Sequence, residues 1–329
     1  MSPLTATIIE RIDAPGPKIV FPEGDDPRIA EVALRLSAAG CGRAILLGEG
    51  YVLNTTAVAL GINPVGVDVR HPREVIDESH IERFASEASV DPSVAAVRLS
   101  DPTMAAAAMV RAGGADAMLA GATTTTAHVL AACDSVLGRD PEASTTSSFF
   151  LMETVDGRSL LFTDCAVHPD PTAAQLAAFG IQTARAARDV LGMEPKVAFL
   201  SFSTHGSAVH PSAQKVRNAT GLAHVEAREL LIDGELQGDA AVDAMVAHRK
   251  LFDVGPVAGD ANVLVFPNLD AGNIAYKLVR SLGGAAAAGT ILQGYRAPVS
   301  DVSRGVLVEE LFDTALLLAA MCGARMAAH

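Results

Sequence analysis

The sequence predicts an α/β protein in which mostly parallel strands alternate with helices. Short apolar runs such as 18–21 and 116–120 lead into polar, small-residue segments and then into stretches of helical periodicity. Alternation of this kind is typical of parallel sheets covered by helices. The length of 329 residues, half of them apolar, indicates roughly two domains with a large core.

The first part of the chain carries the alternation without long loops. Strands are predicted at 18–21, 43–47, 65–69 and 116–120. Helices are predicted at 29–39, from Gly48 to about 60, and at 74–88, 102–112 and 127–137.

The pattern changes at about residue 140. Runs at 149–153 and 160–163 flank Asp156-Gly157, which is a hairpin signal. Strands and helices then alternate again, with strands predicted at 197–202, 230–233, 263–266 and 290–292, and helices at 173–191, around 213–219, and at 238–248 and 271–282. The closing strand and helix at 289–323 could rejoin the first domain. No flexible linker separates the two parts, so we expect direct packing around a cleft, where small-ligand sites tend to lie.

Composition excludes some function classes. The formal net charge of −13 argues against a general nucleic-acid or acidic-membrane surface. The cysteines, Cys41, Cys133, Cys165 and Cys322, are far apart and show no metal-site spacing, so we expect reduced thiols in or near the core. Nothing near the start resembles a signal peptide, and no apolar run could span a bilayer, so we expect a cytoplasmic protein without membrane contact.

Three loops after predicted strands are candidate ligand sites. The first, 121–126, offers the hydroxyls and amides of four threonines to a phosphate, although threonines that cap a helix are an equal alternative. The second, 201–207, is dense in hydroxyls and is followed by Lys215. The third, 268–273, is either a site or a turn with a cap. None is a Walker A loop or a GxGxxG fingerprint.

A fourth candidate is the stretch from Gly289 to Glu310. A buried strand is predicted to lead through a loop into the last helix, with Asp301 or Ser303 as its cap. Ser303, Arg304 and Glu310 then lie near a helix N-terminus, where backbone amides favour anions and an arginine adds a fork matched to phosphate. The alternative is a capped helix with a solvated arginine.

Other catalytic signatures are weak. The sequence contains no GxSxG elbow and no HExxH pair. His168, His205 and Cys165 fall in or beside predicted loops, where solvated or inert roles are common. Asp164, Asp233 and Glu235 end predicted strands and could support hydrogen bonds or a metal, although such carboxylates are more often structural.

Taken together, a series of segments resembles the phosphate acetyl/butyryl transferase family, and within it the phosphate acetyltransferases. The segments are FPEGDDPR (21–28), GADAMLAGATTTTA (114–127), LLFTDCAVHPDPTAAQLA (160–177), VAFLSFSTHGSA (197–208), KVRNAT (215–220), LIDGELQGDAA (231–241), ANVLVFPNLDAGNIAYKLV (261–279) and GTILQGYRAPVSDVSRG (289–305). They follow the family order over most of residues 18–310.

The resemblance implies a fold, a reaction and partners. It implies two α/β domains around a cleft, as in isocitrate and isopropylmalate dehydrogenases, with a first domain at 1–145 and 290–329 and a second at 146–289. It implies that acyl phosphate and coenzyme A react reversibly to give acyl-CoA and phosphate, with coenzyme A as substrate and no metal or prosthetic group. It also implies a homodimer.

The resemblance assigns roles to residues of this chain. Ser303, Arg304 and Glu310 are the implied catalytic group, with Glu310 as the base in place of the usual aspartate. The implied substrate-binding residues are Thr123, Thr124, Thr125, Thr126, Ser203, Thr204, Ser207 and Asn273.

Several family cations are missing. Ala131 and Ser281 align with family arginines, and a basic stretch before the 102–112 helix is absent. Arg98, Arg111 or Arg139 could compensate. The departures leave open a coenzyme A or acyl-CoA sensor without turnover, and a transferase for a butyryl or propionyl group. A further alternative is a two-domain dehydrogenase of the related fold. The sequence lacks the metal-carboxylate set and the nicotinamide signature of such an enzyme, which argues against it.

Overall fold

A computed structural model describes residues 3–12 and 16–327. In these ranges the strands are β1 (Lys18–Phe21), β2 (Arg43–Leu47), β3 (Val67–Arg70), β4 (Ala117–Ala120), β5 (Ser147–Glu153), β6 (Ser159–Thr163), β7 (Lys196–Leu200), β8 (Leu231–Leu236), β9 (Val263–Val265), β10 (Ala286–Gln293) and β11 (Val299–Asp301). Residues 1–2 and 13–15, on which the signal-peptide expectation partly rests, lie outside the described residues.

Helices occupy most of the connections between strands. They are α1 (Pro3–Ile9), α2 (Pro27–Ala38), α3 (Tyr51–Leu60), α4 (Glu78–Ala88), α5 (Pro92–Leu99), α6 (Pro102–Arg111), α7 (Thr126–Ala132), α8 (Ala173–Asp189), α9 (Pro211–Glu226), α10 (Gly238–Val242), α11 (Ala244–Lys250), α12 (Leu269–Gly283) and α13 (Val308–Ala327). A 3-10 turn at Pro72–Glu74 and a π-helical turn at Cys133–Leu137 add to these.

The chain divides into two compact units. The first unit comprises Met1–Ala143 and Gly289–His329, and the second comprises Ser144–Ala288. In the first unit the strand order is β3-β2-β1-β4-β11-β10. Its pairs are parallel except for β10 and β11, where Ile291 lies opposite Ser300.

The second unit has the strand order β5-β6-β9-β7-β8. The β5–β6 pair is the antiparallel hairpin predicted around Asp156-Gly157, and the other pairs are parallel. The predicted α/β class is therefore confirmed.

Apolar patterning explains why the central elements are buried. Every residue of β4 is buried, as expected for a strand covered on both faces. In α6 the alanines 105–108 are all buried, so small side chains bring this helix close to its neighbours. Leu311 to Ala320 of α13 are buried without a break.

Several predicted boundaries are wrong. The strand β11 and the helix α5 were not expected, because three- and eight-residue elements carry little periodicity of their own. The helix predicted at 238–248 is two helices, and the Asp243 side chain caps the second by accepting from the amides of Met245 and Val246. The last helix begins at Val308, so neither Asp301 nor Ser303 caps it; Asp301 ends a strand instead.

The described ranges contain neither a candidate membrane-spanning helix nor a candidate metal site. No helix there is both long and apolar enough to cross a membrane. No group of three or more His, Cys, Asp or Glu side chains in those ranges could hold a metal ion. All four cysteines are free and buried.

Candidate active site

Ser303 and Arg304 lie on an exposed turn of the first unit, between β11 and α13. The turn is closed by a hydrogen bond from the Val306 amide to the Ser303 carbonyl at 2.9 Å. The Ser303 hydroxyl oxygen accepts only a long bond, 3.4 Å, from the Gly305 amide. The guanidinium of Arg304 has no ion-pair or hydrogen-bond partner among the described residues. Both side chains can therefore meet a ligand from solvent.

Glu310 follows in the first turn of α13 and is half-buried. Its Oε2 atom accepts a hydrogen bond of 3.2 Å from the amide of Leu307, just before the helix. This is the return contact of a capping box, which stabilises a helix start. Part of the carboxylate that the resemblance implies as the base is therefore already used in capping.

Arg28 holds the turn in place. Its Nη1 atom donates to the carbonyls of Arg304 at 2.8 Å and Val306 at 3.2 Å, and its Nη2 atom donates to the carbonyl of Ala122 at 2.9 Å. Asp26 orients the guanidinium through bonds of 3.1 and 2.8 Å. Although burial opposes it, the hydrogen bonds from Arg28 lower the pKa of Asp26. One planar fork thus joins the 121–126 loop to the Ser303–Arg304 turn.

The backbone amides of the 121–126 loop already bind an anion of the protein itself, the carboxylate of Glu23. The carboxylate of Glu23 accepts hydrogen bonds from the amides of Ala122, Thr123 and Thr124 at 2.8, 2.7 and 2.8 Å, and from the Thr123 hydroxyl at 2.9 Å. These amides are the ones that could otherwise hold a phosphate. The Thr125 side chain caps α7, which is the alternative that the sequence left open.

Asp301 lies beneath this loop. Gly121 lies so close to it that a Cβ there would be 2.3 Å from the Val302 carbonyl oxygen and 2.6 Å from Asp301 Oδ1, which leaves room only for glycine. Burial raises the pKa of Asp301 most, a hydrogen bond with the Thr126 side chain lowers it, and the charge of Glu23 raises it; together these effects bring the pKa to about 6. The Oδ1 atom is buried without a hydrogen-bond partner in the described part of the chain.

In the second unit, the Ser203–Ala208 loop is built on Glu235. Its Oε1 atom accepts from the Ser203 hydroxyl at 2.7 Å, the Gly206 amide at 2.8 Å and Arg217 Nη1 at 2.9 Å. Burial opposes ionisation of Glu235, yet the bonds from Gly206 and Ser203 and the charge of Arg217 lower its pKa.

The predicted loop residues of the second unit differ in exposure. Ser203 and Thr204 are buried. The Ser203 hydroxyl oxygen accepts from the Ala208 amide of the same loop, whereas the Thr204 hydroxyl oxygen accepts from the Gln237 amide, just after β8. Ser207 is exposed, although its hydroxyl oxygen accepts from the Thr204 amide at 3.0 Å. Of the predicted hydroxyls in this loop, Ser207 is thus the one that solvent reaches.

Asn273, on α12, is not joined to that loop by any hydrogen bond among the described residues. Its Nδ2 atom donates to the Cys165 carbonyl at 3.0 Å. That contact steadies the segment after β6, where Asp164 accepts from the Ala166 and His168 amides and from the Ser148 hydroxyl. Burial raises the pKa of the Cys165 thiol well above its ordinary value, which is consistent with an inert side chain.

The arginines suggested as replacements for missing family cations are largely occupied. Ala131 and Ser281 are exposed and uncharged. Arg111 pairs with Glu87 at 3.4 Å, and Arg139 pairs with Asp134 at 3.3 Å. Arg98 is exposed in the last turn of α5.

No role was predicted for Glu23, Arg28 or Arg217, and Glu235 was expected either to support hydrogen bonds or a metal or to be structural. A signal for the first two was present, because charged residues at the carboxyl end of a buried parallel strand lie at the edge where α/β proteins bind ligands. Their partners could not be read from the sequence, since Arg28 and Arg304 are 276 positions apart.

Comparison with known proteins agrees with the resemblance. The model of the family described as phosphate acetyl/butaryl transferase matches residues 4–319. The phosphate acetyltransferase of Thermoanaerobacterium thermosaccharolyticum is 39% identical over 322 residues, which cover 93% of this chain and 95% of that protein. The crystal structure of a phosphotransacetylase from Streptococcus pyogenes has a TM-score of 0.89 at 36% identity and covers 98% of this chain and 99% of its own.

A more distant likeness concerns the fold alone. The 4-hydroxythreonine-4-phosphate dehydrogenase of Klebsiella pneumoniae has a TM-score of 0.53 at 15% identity over 93% of this chain and 99% of its own. This agrees with the dehydrogenase-like fold that the resemblance implied. By its sequence match and its fold, the chain belongs to the phosphate acetyl/butaryl transferase family.

Proposed function

We propose that this acyltransferase is a phosphate acetyltransferase that works at the Ser303–Arg304 turn. It transfers the acetyl group of acetyl phosphate to coenzyme A and releases phosphate, and the reaction is reversible. The observation that carries the proposal is the exposed guanidinium of Arg304, which has no partner in the described part of the chain and lies on a turn whose carbonyls are fixed by Arg28. A rigid turn that presents a free guanidinium suits bidentate binding of phosphate.

The chemistry assigns a role to each group at the turn. A thiol of pKa ~8.5 must lose its proton before it attacks the acyl carbon. Glu310 accepts that proton, while the Ser303 hydroxyl donates to the carbonyl or phosphate oxygen. Arg304 offsets the charge that develops on the departing phosphate. No step changes an oxidation state, so the reaction itself calls for no redox cofactor.

The substrate-binding roles are part of the same proposal. Because the 122–124 amides already donate to Glu23, we assign coenzyme A contacts in the Thr123 to Thr126 loop to side chains, chiefly that of Thr124, since the hydroxyls of Thr123 and Thr125 already bond to Glu23 and to the His128 amide. Ser207 is the exposed hydroxyl of the second-unit loop and is assigned to a phosphate or acyl contact. Ser203, Thr204 and Asn273 support their loops. A homodimer belongs to the proposal and is tested by light scattering.

Thioester absorbance tests the activity. Purified protein is incubated with coenzyme A and acetyl, propionyl or butyryl phosphate, and we expect the fastest thioester formation with acetyl phosphate. A flat trace with all three, together with measurable coenzyme A binding, would instead support the sensor.

Glu310→Gln tests the base. It keeps the shape of the side chain, so turnover should fall by about 10²-fold or more while coenzyme A affinity changes little. Glu309→Gln is the matched control, because Glu309 lies in the same helical turn and pairs with Arg35 at 2.8 Å instead. Unchanged turnover in Glu310→Gln would remove this residue from the mechanism.

A further inference from the structure

We infer that His128, oriented by Asp101, is a second proton acceptor for the substrate thiol. The inference rests on the proposed function and adds a residue to it. His128 is the third residue of α7 and follows directly on the 121–126 loop. Its Nε2 atom lies 2.9 Å from Oδ1 of Asp101.

The carboxylate of this pair is held firmly. Asp101 is the N-cap of α6, and its Oδ1 atom also accepts from the amides of Thr103 and Met104 at 3.0 Å each. Because an ionised carboxylate can only accept hydrogen bonds, the proton of the neutral imidazole lies on Nε2. The Nδ1 atom is then left with a lone pair.

That lone pair is open to a substrate. In the described ranges Nδ1 has no hydrogen-bond partner, and 35% of the His128 side chain is exposed. A carboxylate that fixes the tautomer and orientation of an imidazole, with the other nitrogen free, is the arrangement that makes histidine a general base.

His128 follows directly on the loop that is tied to the Ser303–Arg304 turn. Its backbone amide donates to the Thr125 hydroxyl at 3.3 Å, at the end of that loop. Arg28 joins the carbonyls of Ala122 and Arg304. Asp101 lines a cavity of about 610 Å³ in the first unit together with Thr123 and Thr124. The base and the turn therefore belong to one hydrogen-bonded cluster.

The charges around the imidazole suit this role. Asp101 faces it from α6, and Glu23 and Asp301 carry further carboxyl groups at the adjoining loop and strand. Glu49 and His71 line the same cavity. Of these groups, Asp101 is the one in contact with the imidazole, and it holds the ring in the orientation that a general base needs.

The proton balance closes without another reactant. The thiol proton passes first to Glu310 and then to Nδ1 of His128, and the thiolate forms the new carbon–sulfur bond. The carbon–oxygen bond to phosphate breaks, and the departing phosphate takes the proton from Nδ1. The imidazole is then neutral again. Since one carboxylate oxygen of Glu310 accepts from the Leu307 amide, a second acceptor shares the proton transfer.

The test compares two histidine–aspartate pairs of the same unit. His80 also pairs with an N-capping aspartate, Asp77, at 2.7 Å, but it lies on α4 and shares no hydrogen bond with the turn among the described residues. We expect His128→Gln to lower kcat by about 10²-fold at neutral pH, with little change in KM for acetyl phosphate. His80→Gln should match wild type.

Two further readouts separate a base from a structural residue. The pH profile of kcat in His128→Gln should lose a limb that wild type shows between about pH 5 and 8. Added imidazole should restore turnover to His128→Ala in a concentration-dependent way. Wild-type kinetics in His128→Gln, or a loss in His128→Ala that imidazole does not restore, would overturn the inference. If wild type itself forms no thioester, the proposed function fails instead.

Discussion

The 121–126 loop of the first unit and the 203–208 loop of the second are both organised by a single glutamate, yet the two glutamates differ in how their charge is balanced. Glu23 accepts three backbone amides and one hydroxyl. Glu235 accepts one amide, one hydroxyl and the guanidinium of Arg217. Glu235 is buried, whereas Glu23 is only half-buried and makes no ion pair within the described ranges.

The difference teaches how a loop rich in hydroxyls and amides should be interpreted. In the first unit the amides that could attract a phosphate already hold a carboxylate, so the loop adds negative charge to the site. In the proposed function, recognition of an anion is assigned to Arg304, which lies on the neighbouring turn. In the second unit the guanidinium of Arg217 neutralises the carboxylate of Glu235, and Ser207 stays exposed. A loop with many hydrogen-bond donors is therefore an anion site only where those donors are not already bonded to an acceptor within the protein.

The largest effect on stability is expected at Glu235, the buried one of the two glutamates. Glu235→Ala removes three hydrogen-bonded contacts and leaves Arg217 without its counter-charge, so the free energy of unfolding should fall by about 4 kcal/mol. Urea denaturation measures this loss. Glu226→Ala, at an exposed position of α9, is the control and should change little. A loss under about 1 kcal/mol for Glu235→Ala would show that the second loop does not depend on its glutamate.

Asp301→Asn tests whether the first unit holds a buried negative charge at Asp301. The pKa of Asp301 is raised to about 6 in the folded chain, above its ordinary value of 3.8. The folded state therefore binds more protons between these values, and stability falls as pH rises through this window. The penalty should reach about 3 kcal/mol above pH 6. The stability of Asp301→Asn relative to wild type should thus rise between about pH 4 and 6 and stay level above. A pH-independent difference would contradict the buried charge.

Arg28→Lys tests the joint between the first loop and the turn. Lysine keeps the charge but cannot reach the Ala122 and Arg304 carbonyls as one fork. The turn should shift, and kcat should fall by about 10²-fold with a small loss of stability. Arg43→Lys, at the exposed start of β2, is the matched control. Equal kinetics in the two variants would mean that Arg28 does not position the turn.

The smallest effect is expected at Glu23. In Glu23→Ala the freed amides of Thr123 and Thr124 can bond to water, whereas the amide of the buried Ala122 loses its acceptor, so unfolding should become easier by about 1–2 kcal/mol. Denaturation beside Glu235→Ala gives the direct comparison. Equal losses of stability in Glu23→Ala and Glu235→Ala would mean that the half-buried and the buried glutamate stabilise their loops to the same extent.

How far the sequence predicts this molecule depends on whether the cause is local. The alternation of strands and helices and the Asp156-Gly157 hairpin rest on short-range periodicity and turn chemistry, and they were predicted correctly. The strand β11 was not, because its three residues are stabilised by distant partners such as Met118 opposite Val299.

The same distinction applies to the site. The sequence predicted Ser303 and Arg304 at the start of the last helix, whereas the structure places them on an exposed turn before the helix begins at Val308. The capping contact of Glu310 follows from its place three residues after Leu307. The roles of Glu23 and Arg28 depend on hydrogen bonds to loops about 100 and 276 positions away, and no sequence pattern carries them.

The most direct test of the account is the kcat/KM for acetyl phosphate of Arg304→Lys, measured by thioester formation beside Arg296→Lys. Both arginines are exposed and lie in the first unit, so the control carries the same change of side chain away from the proposed phosphate contact. We predict a fall of about 10²-fold for Arg304→Lys, because the bidentate contact to phosphate is lost, and wild-type values for Arg296→Lys. Wild-type kinetics in Arg304→Lys at low substrate would contradict the account, since the turn would then hold only a surface cation.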